Sequence, residues 1–147
     1  MHASTSRIES AGPTTNARAA LTALVVDDEP HVRAYLRLIL SALGVSEIRE
    51  AAGGIEGLEL YQKYQPSIVL LDVNMPHVSG QETLSRLNEI DPNAVVVVVT
   101  SKNEITTVRE FQALGASGYV LKHGAREVVT STIEEILDTL LDDGEES

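Results

Sequence analysis

The chain has 147 residues, 43% of them hydrophobic, with no cysteine and a formal net charge of −11. That size suits one domain with a proper core, and the missing cysteines exclude disulfides, thiolate metal sites and cysteine nucleophiles and fit a reducing cytoplasm. The acidic balance argues against direct nucleic-acid binding, which calls for a basic footprint, and favours cations and basic partner surfaces.

No apolar run approaches the ~18 residues of a membrane helix. The first residues lack the basic and then apolar regions of a secretory signal. Residues 1–20 are rich in Ser, Thr, Ala and Asn around Gly12-Pro13, without a period, and read as a flexible tail; the alternative is a short helix near Thr15 to Ala20, for which no clear apolar face speaks. Leu21 to Val26 reads as the first strand and ends in Asp27-Asp28-Glu29-Pro30. Pro30 suits a first helical turn, where its missing N–H costs nothing. Val32, Tyr35, Leu36, Ile39 and Leu43 recur at helical spacing up to Gly44. Ser46 to Ala51 reads as a weak, charged edge strand, and Gly53-Gly54 opens a second helix stopped before Pro66.

The third strand, Ser67 to Asp72, is a nearly continuous apolar run that ends in an aspartate. Such a run belongs to a strand covered on both faces of a parallel sheet. Ser79-Gly80-Gln81-Glu82 has a capping-box pattern and opens the third helix. Val95 to Val99, closed by Thr100, gives the fourth strand, and Ser101-Lys102-Asn103-Glu104 offers a second capping box. A fourth helix carries Ile105, Val108, Phe111 and Leu114; Gly118 to Lys122 is a short fifth strand. The last helix is expected from about Ala125 to Leu141, before an acidic tail at 142–147. Five strand–helix units joined by right-handed crossovers give an α/β fold: a doubly wound, five-stranded parallel sheet in the order 2-1-3-4-5.

In that order the carboxyl ends of the strands meet at one edge. They carry Asp27, Asp28, Asp72, Thr100 and Lys122. Taken singly, Asp27 and Asp28 could cap a helix, Thr100 could pack at a strand end, and Lys122 could be solvated. Together they suggest chemistry. Clustered carboxylates repel unless a cation joins them, and oxygen ligands around an open site suit Mg²⁺ or Mn²⁺. A lysine there is a point charge for phosphate, and a carboxylate can form an acyl phosphate.

The motifs Val25-Val26-Asp27-Asp28-Glu29, Leu70-Leu71-Asp72-Val73-Asn74-Met75-Pro76, Val99-Thr100-Ser101 and Tyr119-Val120-Leu121-Lys122 resemble those of a CheY-like response regulator receiver domain of bacterial two-component systems. The resemblance spans residues 21–141 and implies a flavodoxin-like (βα)5 fold. It also implies a single-domain signalling phosphoacceptor rather than an enzyme acting on a separate substrate. Asp72 would accept the phosphoryl group. Asp28 would bind Mg²⁺ directly, Asp27 through water, and Asn74 through its backbone carbonyl. Thr100 and Lys122 would contact the phosphoryl group, Thr100 and Tyr119 would form the switch, and Asn74 and Lys102 would tune its lifetime. The implied partners are a histidine kinase or histidine phosphotransfer protein and an unknown output protein, with the chain a monomer or a phosphorylation-dependent dimer. The family usually has proline after its lysine, often in a cis peptide. His123 stands here, and a trans bond is expected because a non-proline cis bond costs ~3–4 kcal/mol. A haloacid-dehalogenase-type phosphatase would need Asp-x-Asp on the first strand. A dinucleotide or flavin module would need a glycine-rich turn where Asp27-Asp28-Glu29-Pro30 stands.

Overall fold

The computed structural model describes residues 15–75, 78–101 and 105–146, with side chains placed over 17–75, 78–101 and 108–142. Its strands are β1 (Thr22–Val26), β2 (Glu47–Ala51), β3 (Ile68–Asp72), β4 (Val96–Thr100) and β5 (Gly118–Leu121). They form one parallel sheet in the order β2-β1-β3-β4-β5, as expected. The helices are α1 (Pro30–Ala42), α2 (Gly54–Tyr64), α3 (Gly80–Ile90), α4 (Ile105–Ala113) and α5 (Arg126–Glu146).

The unbroken apolar runs of β1, β3 and β4 follow from coverage on both faces, because successive side chains point to opposite sides. Val25, Leu70, Val97 and Val99 join Leu36, Ile39 and Leu40 of α1 and Ile133 and Leu137 of α5 in one core. Leu24, Val26, Val69, Leu71 and Val98 join Tyr61 of α2, Leu84 and Leu87 of α3 and Phe111 of α4 in the other. A fully buried leucine or valine contributes about 1.5–3 kcal/mol, so these two layers fix the register that brings the strand ends level.

Local signals set the loops. Ser79 caps α3 by accepting from the Glu82 N–H at 3.1 Å. Gly80 opens that helix against the chain after Asp72: a Cβ there would come within 2.2 Å of the Val73 Cα. Only glycine lets α3 start so close to the β3 loop. Gly44, at φ 104°, turns the chain out of α1. The second capping box, Ser101 to Glu104, falls partly outside the described residues, as do Pro76 and Lys102.

Two ends differ from expectation. Residues 15–18, read as part of a flexible tail, form a helical turn (Thr15–Arg18). Arg18 is buried against α5 and the end of α1. At the other end α5 continues past Leu141 to Glu146, through most of the stretch read as an acidic tail. Backbone hydrogen bonding, which adds one bond per residue once a helix is under way, can carry it on into charged sequence.

Candidate functional site

Four of the five strand ends supply one part of the site each. Asp27 follows β1 and its N–H donates to the Ala51 carbonyl at 3.0 Å, continuing the ladder. Asp72 is the last residue of β3 and Thr100 the last of β4. Lys122 follows β5 and donates its N–H to the Thr100 carbonyl at 2.7 Å. Asp27 and Asp72 are 0% exposed and Thr100 2%. The ladder thus brings together residues from four segments of the chain, and Asp28 and Asn74 lie in the adjoining loops.

The acids form one cluster. Carboxylate oxygens of Asp27, Asp28, Glu29 and Asp72 lie within 4.8 Å of one another. The Lys122 ammonium sits among them, 2.7 Å from Glu29 Oε1, 3.1 Å from Asp72 Oδ2 and 3.5 Å from Asp27 Oδ2. Its side chain is only 6% exposed. Burial works against the lysine's charge, but contacts with Glu29 and Asp72 outweigh it and hold the ammonium above the usual lysine range. Burial likewise pushes the Asp27 carboxyl up to about 6; the Glu29 N–H opposes that, the Asp72 charge adds to it, and Lys122 opposes it. Glu29, at the rim, is held below the usual carboxylate range by its hydrogen bond to Lys122.

The two oxygens of Asp72 are not equivalent. Oδ1 accepts the Asn74 N–H at 3.0 Å. Oδ2 faces Lys122 at ion-pair distance, but its angles miss a hydrogen bond, and it is a buried oxygen without a hydrogen-bond partner. Asp27 Oδ2 and Asp28 Oδ1 are buried and unbonded in the same way. Buried carboxylate oxygens are costly unless something meets them. Three orphaned oxygens in one cluster, all hard donors, fit a divalent cation such as Mg²⁺ or Mn²⁺.

Around this centre, Asn74 Nδ2 donates to Ser101 Oγ at 3.3 Å, joining the β3 and β4 loops. Tyr119 lies on β5 with 40% of its surface exposed, beside the buried Val120. Among the described residues no peptide is cis, so Lys122–His123 is trans. Two contacts were not read from sequence. Glu29 binds Lys122, although it stands directly after Asp28 and that adjacency was a usable signal. Arg33 donates to the Asp27 carbonyl at 2.6 Å and also to Glu50, which depends on packing alone.

Residues 23–134 match the response regulator receiver domain. The chain belongs to that family. Receiver domains are signalling domains of two-component systems, and they bind Mg²⁺ through an acidic pocket of the kind seen here. The chain is 36% identical over 102 residues to the nitrate/nitrite response regulator NarL of Escherichia coli, covering 69% of this chain and 47% of that protein. It is 32% identical over 99 residues to the chemotaxis protein CheY of Thermotoga maritima, covering 67% of this chain and 82% of CheY. It therefore spans about half the length of NarL and most of CheY. Among solved structures it is similar to the CheX–CheY–BeF3–Mg²⁺ complex from Borrelia burgdorferi, with a TM-score of 0.75 and 28% identity over 79% of this chain and 88% of that one. No helix among the described residues is long and apolar enough to cross a membrane.

Proposed function

We propose that this receiver domain accepts a phosphoryl group on Asp72 from the phosphohistidine of a kinase or phosphotransfer protein, in a reaction that needs a divalent cation. The observation that carries this reading is the unbonded Asp72 Oδ2, buried and aimed at Lys122 while Oδ1 is occupied by the Asn74 N–H. Oδ2 is the free nucleophile. Its lone pair forms the new O–P bond as the donor's P–N bond breaks, and the bonding pair stays on the imidazole nitrogen. The product is an aspartyl phosphate. Lys122 neutralises charge on the transferred group, and the Thr100 hydroxyl donates to one of its oxygens. Asp27, Asp28, Asp72 and the Asn74 carbonyl would hold Mg²⁺ or Mn²⁺, which when bound supplies positive charge to the phosphoryl oxygens. Asn74, beside Asp72, and Lys102 then govern how water reaches the acyl phosphate.

The acyl phosphate biases a two-state surface formed by α4, β5 and α5, with Thr100 and Tyr119 as its moving parts. An output protein or a second receiver reads that surface. Acetyl phosphate labelling tests the chemical step. Acid-labile phosphate is expected on the wild type with Mg²⁺, and none on Asp72→Ala or in EDTA. Full labelling of Asp72→Ala would sink the assignment.

A further inference from the structure

Glu29 stands apart from the other acids of the cluster. Pro30 steers the residue before it away from helical backbone, and Glu29 is extended at φ −99° and ψ 114°. Its N–H donates to Asp27 Oδ1 at 2.9 Å, which fixes the loop. Its side chain makes no cap to α1. Instead Oε1 accepts from Lys122 Nζ at 2.7 Å, the shortest of that ammonium's three carboxylate contacts. Asp27, Asp28 and Asp72 each keep a buried oxygen without a hydrogen bond, whereas Glu29 has none among the described residues. The orphaned oxygens suit a cation, and Glu29 is committed to the lysine.

We propose that Glu29 is a positioning residue that holds Lys122 in the unphosphorylated protein and surrenders it when a phosphoryl group arrives on Asp72. The proposal rests on the reading of Asp72 and Lys122 given above. Glu29 takes the hydrogen bond this ammonium donates, while Asp72 and Asp27 meet it at ion-pair distance. A phosphoryl oxygen beside Asp72 Oδ2 competes for the same ammonium and draws it off Glu29. Asp27 is buried and fixed by its loop, and Asp72 carries the phosphoryl group. Glu29, 44% exposed on its side chain against 6% for Lys122, can swing into water. The displaced contact is a cost on the phosphorylated state, so Glu29 sets how readily the domain is charged.

Beryllofluoride, an acyl-phosphate mimic, supplies the test without turnover. Wild type, Glu29→Gln and Glu29→Ala are titrated with it at saturating Mg²⁺ by NMR, and the Lys122 Nζ resonance is followed in metal-free protein. Both variants are expected to bind the mimic about 1.5-fold to fivefold more tightly, the range of one partly exposed ion pair. The Nζ resonance should move in the metal-free variants. The gain should vanish when Lys122 is replaced by Met. Unchanged or weaker binding, an unmoved Nζ resonance, or an equal gain in the Lys122→Met background would each overturn the role. A loss of Mg²⁺ affinity in Glu29→Gln as large as in Asp28→Ala would make Glu29 a cation ligand and overturn it too. If the wild type itself binds no mimic, or Asp72→Ala binds it equally well, the reading of Asp72 falls with it.

Discussion

At the scale of single residues, the site is a set of groups in surroundings they would not choose alone. Asp27 and Asp72 are buried beside each other and beside Asp28, and each has an oxygen that accepts no hydrogen bond. Without a cation, one negative charge fewer should relieve the cluster. Asp27→Asn is therefore expected to raise the melting temperature of metal-free protein at neutral pH while weakening Mg²⁺ binding. On the proposed assignment Asp28→Ala should lose more Mg²⁺ affinity than Asp27→Ala, since direct ligation matters more than a contact through water. Calorimetry in EDTA and Mg²⁺ titration check both; a lowered melting temperature for Asp27→Asn, or equal affinity losses for the two alanines, would contradict them. The residues that carry this centre were legible in the sequence because each ends a strand, and strand ends are local features. Their mutual distances were not. Nothing in Asp27-Asp28-Glu29-Pro30 says that the third acid turns to a lysine 93 positions away, since that contact exists only once β1 and β5 lie in one sheet.

At the scale of elements, the buried strands β3 and β4 were the easiest to read, being apolar throughout. The edge strand β2 was harder, because its charges serve tertiary contacts. Glu50 accepts from Arg33 at 3.0 Å and from Arg37 at 2.7 Å, pinning α1 to the sheet edge. Arg37 and Arg33 hold the Glu50 carboxyl below its usual range. A carboxylate depressed in the folded state binds its proton more tightly when unfolded, so it stabilises the fold above the unfolded value and loses that contribution as pH falls through the folded one. Glu50→Gln should therefore cost about 0.5–1 kcal/mol at neutral pH and progressively less as the pH falls through and below the ordinary glutamate range. Denaturant melts at neutral and at acidic pH decide it, and an equal cost at both would remove the ion pairs from the account. The second element-level expectation concerns readout. Thr100 begins the loop into α4, and Tyr119 stands on β5 at the mouth of a groove also lined by Gln112, Val128 and Ile136. If an acyl phosphate draws in the Thr100 hydroxyl, the loop moves and Tyr119 gains room to turn inward. NMR shift mapping with beryllofluoride should show changes along α4, β5 and α5; changes confined to the Asp72 loop, or spread over α2 and α3 with Tyr119 silent, would reject this switch.

For the molecule as a whole, the folded unit starts before the span matched to the family, and one buried charge ties that extension to the domain. Arg18 lies before residue 23, where that match begins. Its Nη1 donates to the Leu43 carbonyl at the end of α1 at 3.1 Å, and Nη2 reaches Glu134 at 2.9 Å and Asp138 at 3.0 Å on α5. The side chain is 9% exposed. Burial alone would lower its pKa, but the hydrogen bonds to Asp138 and Glu134 outweigh that and raise it. Composition hid this contact, because one arginine among Ser, Thr and Ala reads as tail until α1 and α5 stand side by side to receive it. The guanidinium fork suits three acceptors on two helices, a task a lysine's point charge does poorly. Removing it leaves a buried carbonyl unmet and two acids facing each other across an empty site. Arg18→Ala is expected to destabilise the domain by about 1–3 kcal/mol, with Arg18→Lys recovering only part. Because Arg18 lies outside the acidic cluster, Mg²⁺ affinity and acetyl phosphate labelling of the folded variant should match the wild type. Amide exchange should then rise in α5 around Glu134 to Asp138 and at the end of α1, while β3 and β4 stay protected. Unchanged stability, or faster exchange confined to the residues around Asp72, would show that the N-terminal turn rests on the domain without holding it.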